Sequence, residues 1–340
     1  MCNTGAMTEN VALSVRNTTG VIELTRPRAL NSLSPDMVTA IKAQLEQWRE
    51  DPAITHVVVT AAERGFCAGG DVRGARQEIL DGHEDEVDAF FAEEYALNLL
   101  IAEYPKPYIA LIDGVLMGGG MGISIHGSHR VMSPNTIAAM PEAAIGYVTD
   151  VGMSHTLQHL PSGKAIGRFI SLTGYRLNIA DLVYTGLATH VGTVELADVV
   201  ERGVAALEGL PRETVGNSPL ERFREQIDKT FGFDTWEEIS AALEASNDVD
   251  FVEFTRELLA SASPSALVAI TELLAANYSV SLEQALENER VLGERMRREP
   301  DFIEGVRAVL VDKDRSPHFG PVGDANAYRA LLRSARPDQE

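Results

Sequence analysis

The sequence predicts an α/β core followed by a helical module, and three observations predict it. Short β-branched runs alternate with a helical repeat ahead of residue 113. Two glycine-rich loops, at 66–73 and 113–122, each follow directly on such a run. From about residue 215 glycine becomes scarcer and helical signals dominate. Strand–helix alternation with loops at strand ends is an α/β plan. The boundaries read as 8–214 for the core, which carries the candidate site, and 215–335 for the helical module.

The elements follow in order. Val11–Val15 and Val21–Leu24 read as strands joined at Asn17-Thr18-Thr19-Gly20, a hairpin-turn composition. Ser34 before Pro35 reads as an N-cap with proline at the first helical position. Val38, Ile41, Leu45 and Trp48 then recur at helical spacing. Ile54–Thr60 and Tyr108–Ile112 read as buried strands. Residues 74–95 are polar, with the acidic run Asp81–Glu86, and read as a solvated loop or helix face. Further on, Phe251, Phe254 and Leu258 form an apolar stripe. Ser281 with Gln284 reads as a capping box, and Asp301 with Glu304 opens another helix.

Composition excludes several classes. The 340 residues carry a formal net charge of −21, which repels phosphate backbones and argues against nucleic-acid and basic membrane-surface partners. The two cysteines, Cys2 and Cys67, cannot build a disulfide framework and fit a reducing compartment, read as cytoplasmic. The stretch MCNTGAMTEN lacks a basic start and an apolar core, so it reads as neither a signal nor a transit peptide. Met7 suggests that residues 1–6 are a scar or precede an alternative start. The most apolar window, Pro107 to Ile125, contains Asp113 and five glycines, a poor membrane helix.

The two loops carry the chemistry. Phe66-Cys67-Ala68-Gly69-Gly70-Asp71-Val72-Arg73 and Asp113-Gly114-Val115-Leu116-Met117-Gly118-Gly119-Gly120-Met121-Gly122 can aim two backbone N–H donors at one oxygen. That is what a thioester carbonyl needs as it gains negative charge. Alone, each loop could equally serve close packing. Neither matches a dinucleotide fingerprint or a Walker loop. Downstream, Glu142 follows a proline among apolar residues, and Asp150 lies eight residues on. A carboxylate in such surroundings is costly unless used or paired, and two acids on one pocket suit acid/base work. His155 and His159 are four apart without the intervening pattern of a zinc protease, and His126 and His129 carry no further signal. No metal site is expected. No G-x-S-x-G occurs, which disfavours a serine thioesterase. Cys67 carries no case for a thiolate without its surroundings. Arg28, Arg64 and Arg73 are candidates for meeting phosphates, or are solvated surface charges.

The loops and the segment from Ala139 to Gly152 resemble the crotonase, or enoyl-CoA hydratase/isomerase, superfamily, and the resemblance covers nearly the whole chain. It implies a crotonase-like ββα spiral core. It implies that Arg26-Pro27-Arg28-Ala29-Leu30-Asn31 lies along coenzyme A, and that Gly70 and Gly119 are the oxyanion donors. It also points to Arg28, Ala68 and Asp71 as substrate-binding. The superfamily's hydratases carry a second catalytic glutamate three residues beyond the second oxyanion glycine; here that residue is Gly122. Glu94, Glu142 and Asp150 fall where the 3-hydroxyisobutyryl-CoA hydrolase branch keeps its carboxylates. The run Asp301–Asp314 resembles that branch's tail signature, and Leu172-Thr173-Gly174-Tyr175-Arg176 also fits. Thr149 and Met153 depart from its usual proline and glycine. The resemblance therefore implies hydrolysis of a short 3-hydroxyacyl-CoA, with 3-hydroxyisobutyryl-CoA of valine breakdown first and 3-hydroxypropionyl-CoA open. Glu142 would act as nucleophile or general base, Asp150 would assist, and Glu94 would position the acyl group. No cofactor is expected, since coenzyme A arrives with the substrate, and the superfamily's habit implies a trimer or hexamer. A hydratase or isomerase on the same fold and a non-catalytic acyl-CoA-binding protein are the rivals.

Overall fold

A computed structural model describes residues 7–8, 10–63, 65–213 and 216–335. Residues 1–6, the phosphate candidate Arg64 and the junction at 214–215 lie outside the described residues.

The chain forms two compact units, each discontinuous in sequence. The first comprises Met1–Asp71, Ala92–Ala138 and Leu177–Ser218; the second comprises Val72–Phe91, Ala139–Arg176 and Pro219–Glu340. The strands are β1 (Met7–Thr8), β2 (Val11–Arg16), β3 (Thr19–Leu24), β4 (His56–Ala61), β5 (Tyr108–Ile112), β6 (Val115–Met117), β7 (His129–Met132), β8 (Ile137–Ala139) and β9 (His190–Val191).

The first unit holds a seven-stranded sheet in the order β1-β2-β3-β4-β5-β7-β9, and β6 pairs separately with β8. The hairpin β2–β3 closes with Val15 opposite Gly20 and Arg16 opposite Thr19. Its turn is therefore only Asn17-Thr18, tighter than the four-residue reading. Asn17 takes a φ of 56°, a region its short polar side chain tolerates. From β3 onward the strands run parallel. The β4 strand begins at His56 rather than Ile54, since Ile54 caps a turn through its N–H to Asp51 O. The core on this sheet joins Val58, Ile109 and Val131 to Val199, Ala206 and Leu207. Each Val, Ile or Leu side chain among them contributes about 1.5–3 kcal/mol when fully buried. The helix Pro35–Glu50 buries Met37, Val38, Ile41, Leu45 and Trp48, as its spacing requires. Ser34 stands at its N-cap but makes no capping bond. Its hydroxyl donates to the Asp36 carboxylate instead.

The polar stretch 74–95 is not a loop. It folds into the helices Val72–Leu80 and Glu84–Ala102. Glu84, Asp85 and Glu86 occupy the first turn of the second helix, where the macrodipole favours negative charge. The window Pro107 to Ile125 divides among β5, β6 and the four-residue helix Gly119–Gly122. Among the described residues no single helix is long and apolar enough to cross a membrane.

The second unit is helical around Pro264–Asn277, which is buried along most of its length. Ser281 caps the helix Leu282–Arg297 by accepting from Gln284 N (3.2 Å). The capping box is half made, because the Gln284 side chain reaches Asn288 and Ala335 O instead. Asp301 does not cap its helix, Pro300–Val306. Its carboxylate accepts from Ser263 Oγ (2.6 Å) and Gly320 N (2.8 Å). That helix lies against the turn Glu142–Ile145. A Cβ on Gly305 would stand 2.5 Å from the Ile145 backbone, and one on Gly146 would stand 2.5 Å from the Asp301 backbone. The tail signature thus buttresses the turn that carries Glu142. Gly305→Ala should therefore cost about 1–3 kcal/mol through overpacking, read as a lower denaturant midpoint at unchanged m-value.

Candidate active site

In the first unit, three segments bring two amide groups side by side. Leu33 N donates to Gly69 O (2.8 Å), and Asp71 N donates to Leu33 O (2.8 Å). Met117 N donates to Cys67 O (2.9 Å), tying the second loop to the first. Leu30, at φ 48°, accepts from Ala68 N (3.0 Å). These bonds leave Gly70 N–H and Gly119 N–H without a hydrogen bond among the described residues. The point where a Cβ would stand on Gly119 is 3.0 Å from Gly70 N and in contact with Glu94 Oε1. Both candidate oxyanion donors therefore border one small space, with the buried Glu94 carboxylate against it. Only glycine leaves that space open. Gly118, at φ 45°, turns the chain into the helix Gly119–Gly122. Gly122, where a hydratase would carry its second acid, is fully enclosed.

The other first-unit candidates separate. Arg26 pairs with Asp71 (2.9 Å), so Asp71 is engaged by the loop that the resemblance laid along coenzyme A. Arg28 sits exposed in the turn Pro27–Ala29 and, among the described residues, forms no ion pair. Ala68 is half-buried between its neighbours on the first loop. Cys67 is fully buried, and burial pushes its thiol up to about 12, so it is no thiolate nucleophile.

In the second unit, Glu142 opens a short turn after Pro141 and is 6% exposed. Its Oε2 has no hydrogen-bond partner among the described residues. Burial raises its pKa well above the ordinary carboxylate value, and the charges of Asp150 and Glu289 raise it further. Asp150 is 5% exposed and precedes Val151 and Gly152, both in left-handed conformation. A third acid, Glu289, stands with them. It is fully buried on the helix Leu282–Arg297, and burial pushes it up to about 8. Sequence reasoning missed it because Glu287-Asn288-Glu289-Arg290 looks like a solvated run. The available signal was its place on the stripe Ala285, Leu286, Leu292 and Met296. Thr149 and Met153, the two departures, are both buried, and the Thr149 hydroxyl donates to Ser171 O (3.4 Å). Arg73 is exposed on its helix. His155 Nε2 donates to Val280 O (3.1 Å) and His159 Nδ1 to His155 O (2.9 Å), so both rings serve local structure.

The two adjacent amide donors of the first unit suit the polarising of a carbonyl, and the buried carboxyl groups of the second suit proton-transfer or nucleophilic chemistry. Residues 19–331 match the enoyl-CoA hydratase/isomerase family, and the chain belongs to that family. Its relatives include the Bos taurus protein named mitochondrial 3-hydroxyisobutyryl-CoA hydrolase, 37% identical over 92% of this chain and 84% of that protein. Among solved structures, one described as an enoyl-CoA hydratase from Rhodobacter sphaeroides superposes with a TM-score of 0.83 at 37% identity, covering 96% of this chain and 97% of that one. Another, described as a carnitinyl-CoA dehydratase from Mycobacterium thermoresistibile, gives a TM-score of 0.86 at 35% identity, covering 98% of each chain. The α/β crotonase-like fold is thereby shown. The cytoplasmic assignment is corrected, because the hydrolase relatives are named as mitochondrial. Cysteine usage reports a reducing compartment and does not distinguish one such compartment from another.

Proposed function

We propose that the protein hydrolyses a short 3-hydroxyacyl-CoA thioester, with 3-hydroxyisobutyryl-CoA as the substrate and 3-hydroxyisobutyrate and CoA as products, a step of valine catabolism. The observation that carries the reading is the pair of undonated amides at Gly70 and Gly119 together with Gly122 in the place of a hydratase's second acid. The amides form the oxyanion hole and polarise the thioester carbonyl. Glu142, in its ionised form, attacks that carbonyl or takes a proton from the attacking water. Asp150 orients the water or the substrate hydroxyl and assists proton transfer. Glu94, against the oxyanion space, positions the polar end of the acyl group. That both sets of residues serve one thioester is what the family resemblance implies. Arg28 and the loop around Ala68 and Asp71 receive the coenzyme A portion. The reaction so written uses carboxyl groups, backbone amides and water, with no cofactor. The solved structures described as a hydratase and a dehydratase favour water addition or removal instead, but Gly122 leaves that chemistry one acid short.

A site that reads the substrate hydroxyl should reject the analogue lacking it. Isobutyryl-CoA is expected to be cleaved with a kcat/KM lower by on the order of 10⁴-fold than 3-hydroxyisobutyryl-CoA, measured as thiol release. Equal rates on the two esters would remove the 3-hydroxy specificity.

A further inference from the structure

A feature of the second unit lies outside the roles above. Glu289 reaches across 137 residues of sequence to the turn behind Asp150. One of its oxygens accepts from Gly152 N (2.7 Å); the other accepts from Ser154 N (3.2 Å) and from the Ser154 hydroxyl. Asn277 Nδ2 donates to the same hydroxyl oxygen (2.6 Å), and Asn288 Nδ2 donates to Asn277 Oδ1 (2.7 Å). Gln158 Nε2 donates to Ser154 O (2.8 Å). The turn so held is strained: Val151 is β-branched and sits at φ 53°. Strain of this kind persists only where surrounding bonds over-determine it. A buried carboxylate is a costly way to hold a turn, since an amide or hydroxyl could accept the same bonds without a charge.

We propose that Glu289 is a positioning residue for the Glu142–Asp150 pair, clamping the turn that carries Asp150 and governing, by its like charge, how readily Glu142 gives up its proton. The inference rests on the hydrolase reading for its kinetic consequence but not for its electrostatic one. The groups facing Glu289 support it. Asp150 and Glu142 act on it or feel it as like charges. Several titratable groups on the elements packed against its helix are engaged elsewhere. His155 bonds to Val280 O, Glu272 pairs with Arg329 (without counting toward Glu289), Asp301 holds Ser263 and Gly320, and Glu304 pairs with Arg307. Like charges buried together oppose one another's ionisation, so the protons of Glu142 and Glu289 leave in linked steps.

Two variants separate clamp from charge. Glu289→Gln keeps the volume and removes the charge. Its thiol-release kcat should fall, and the acid limb of its kcat/KM profile should move to lower pH, because a like charge no longer opposes the ionisation of Glu142. Glu289→Asp keeps the charge and shortens the reach. Its kcat should fall while the limb stays at the wild-type position. A merely structural role would lower kcat in both and leave both limbs in place, and that result would overturn the proposal. The electrostatic part has its own readout. In a carboxyl-¹³C NMR titration, Glu142 should titrate lower in Glu289→Gln than in the wild type. Unmoved titrations there overturn the proposal even if no acyl-CoA is hydrolysed, whereas moved titrations without hydrolysis overturn only the function. If Glu289→Gln does not fold, the wild-type titration decides: spread, coupled steps support the coupling and independent ordinary titrations refute it.

Discussion

Glu142→Gln should lower thiol release from 3-hydroxyisobutyryl-CoA by about 10³-fold or more while binding of the ester persists. The carboxylate is the group the reaction uses as base or nucleophile, and removing such a group typically costs that much. About 10³-fold corresponds to roughly 4 kcal/mol of barrier. The variant should not be less stable. Glu142 has a folded-state value well above its ordinary one, chiefly from burial. Its contribution to stability is therefore full below the unfolded value and lost as pH rises through the folded value. Glutamine has no charge to bury and avoids that loss. Denaturant midpoints should thus favour the variant increasingly as pH rises, while activity is gone. A variant that is inactive because it is unfolded would show no cooperative denaturant transition, and calorimetric titration with a CoA ester would show no binding.

Gly119→Ala should be nearly as damaging, for a steric rather than a chemical reason. The added methyl would stand at the Glu94 carboxylate and 3.0 Å from Gly70 N. It would fill the space in which the proposed oxyanion forms. Loss of one oxyanion donor costs about 2.7–4 kcal/mol, or 10²–10³ in kcat. Obstruction of both donors should reach the upper end of that range. The damage should fall on kcat more than on KM, because the donors act on charge that develops in the transition state. Steady-state kinetics with 3-hydroxyisobutyryl-CoA checks this; a loss confined to KM would move Gly119 from the oxyanion to the binding of the ground state.

Much of the framework was legible in the chain. β-Branched runs marked β4 and β5, and the stripe from Val38 to Trp48 marked the first long helix. The loops around Gly70 and Gly119 could be singled out by their glycines, and Glu142 by its apolar surroundings. Other features were hidden for physical reasons. Glu94 lies in a stretch that reads as solvated because its charges dominate, although Val87, Phe90, Phe91, Leu97 and Ile101 give that helix a buried face. Glu289 was hidden in the same way among polar and charged neighbours. The role of Asp301 followed from tertiary partners, Ser263 and Gly320, whereas Ser34 turned to Asp36 two residues on. Local capping patterns carry no information about such partners. The compact units also interleave in sequence, which no change in composition along the chain can reveal.

The most direct test of the central claim follows two signals from the wild-type protein across a panel of esters. Thiol release and enoyl absorbance are recorded with 3-hydroxyisobutyryl-CoA, 3-hydroxypropionyl-CoA, acetyl-CoA and crotonyl-CoA. The account predicts fast thiol release from the 3-hydroxy esters and no loss of enoyl absorbance from crotonyl-CoA. Loss of enoyl absorbance without thiol release from any ester would contradict it and make the protein a hydratase despite Gly122.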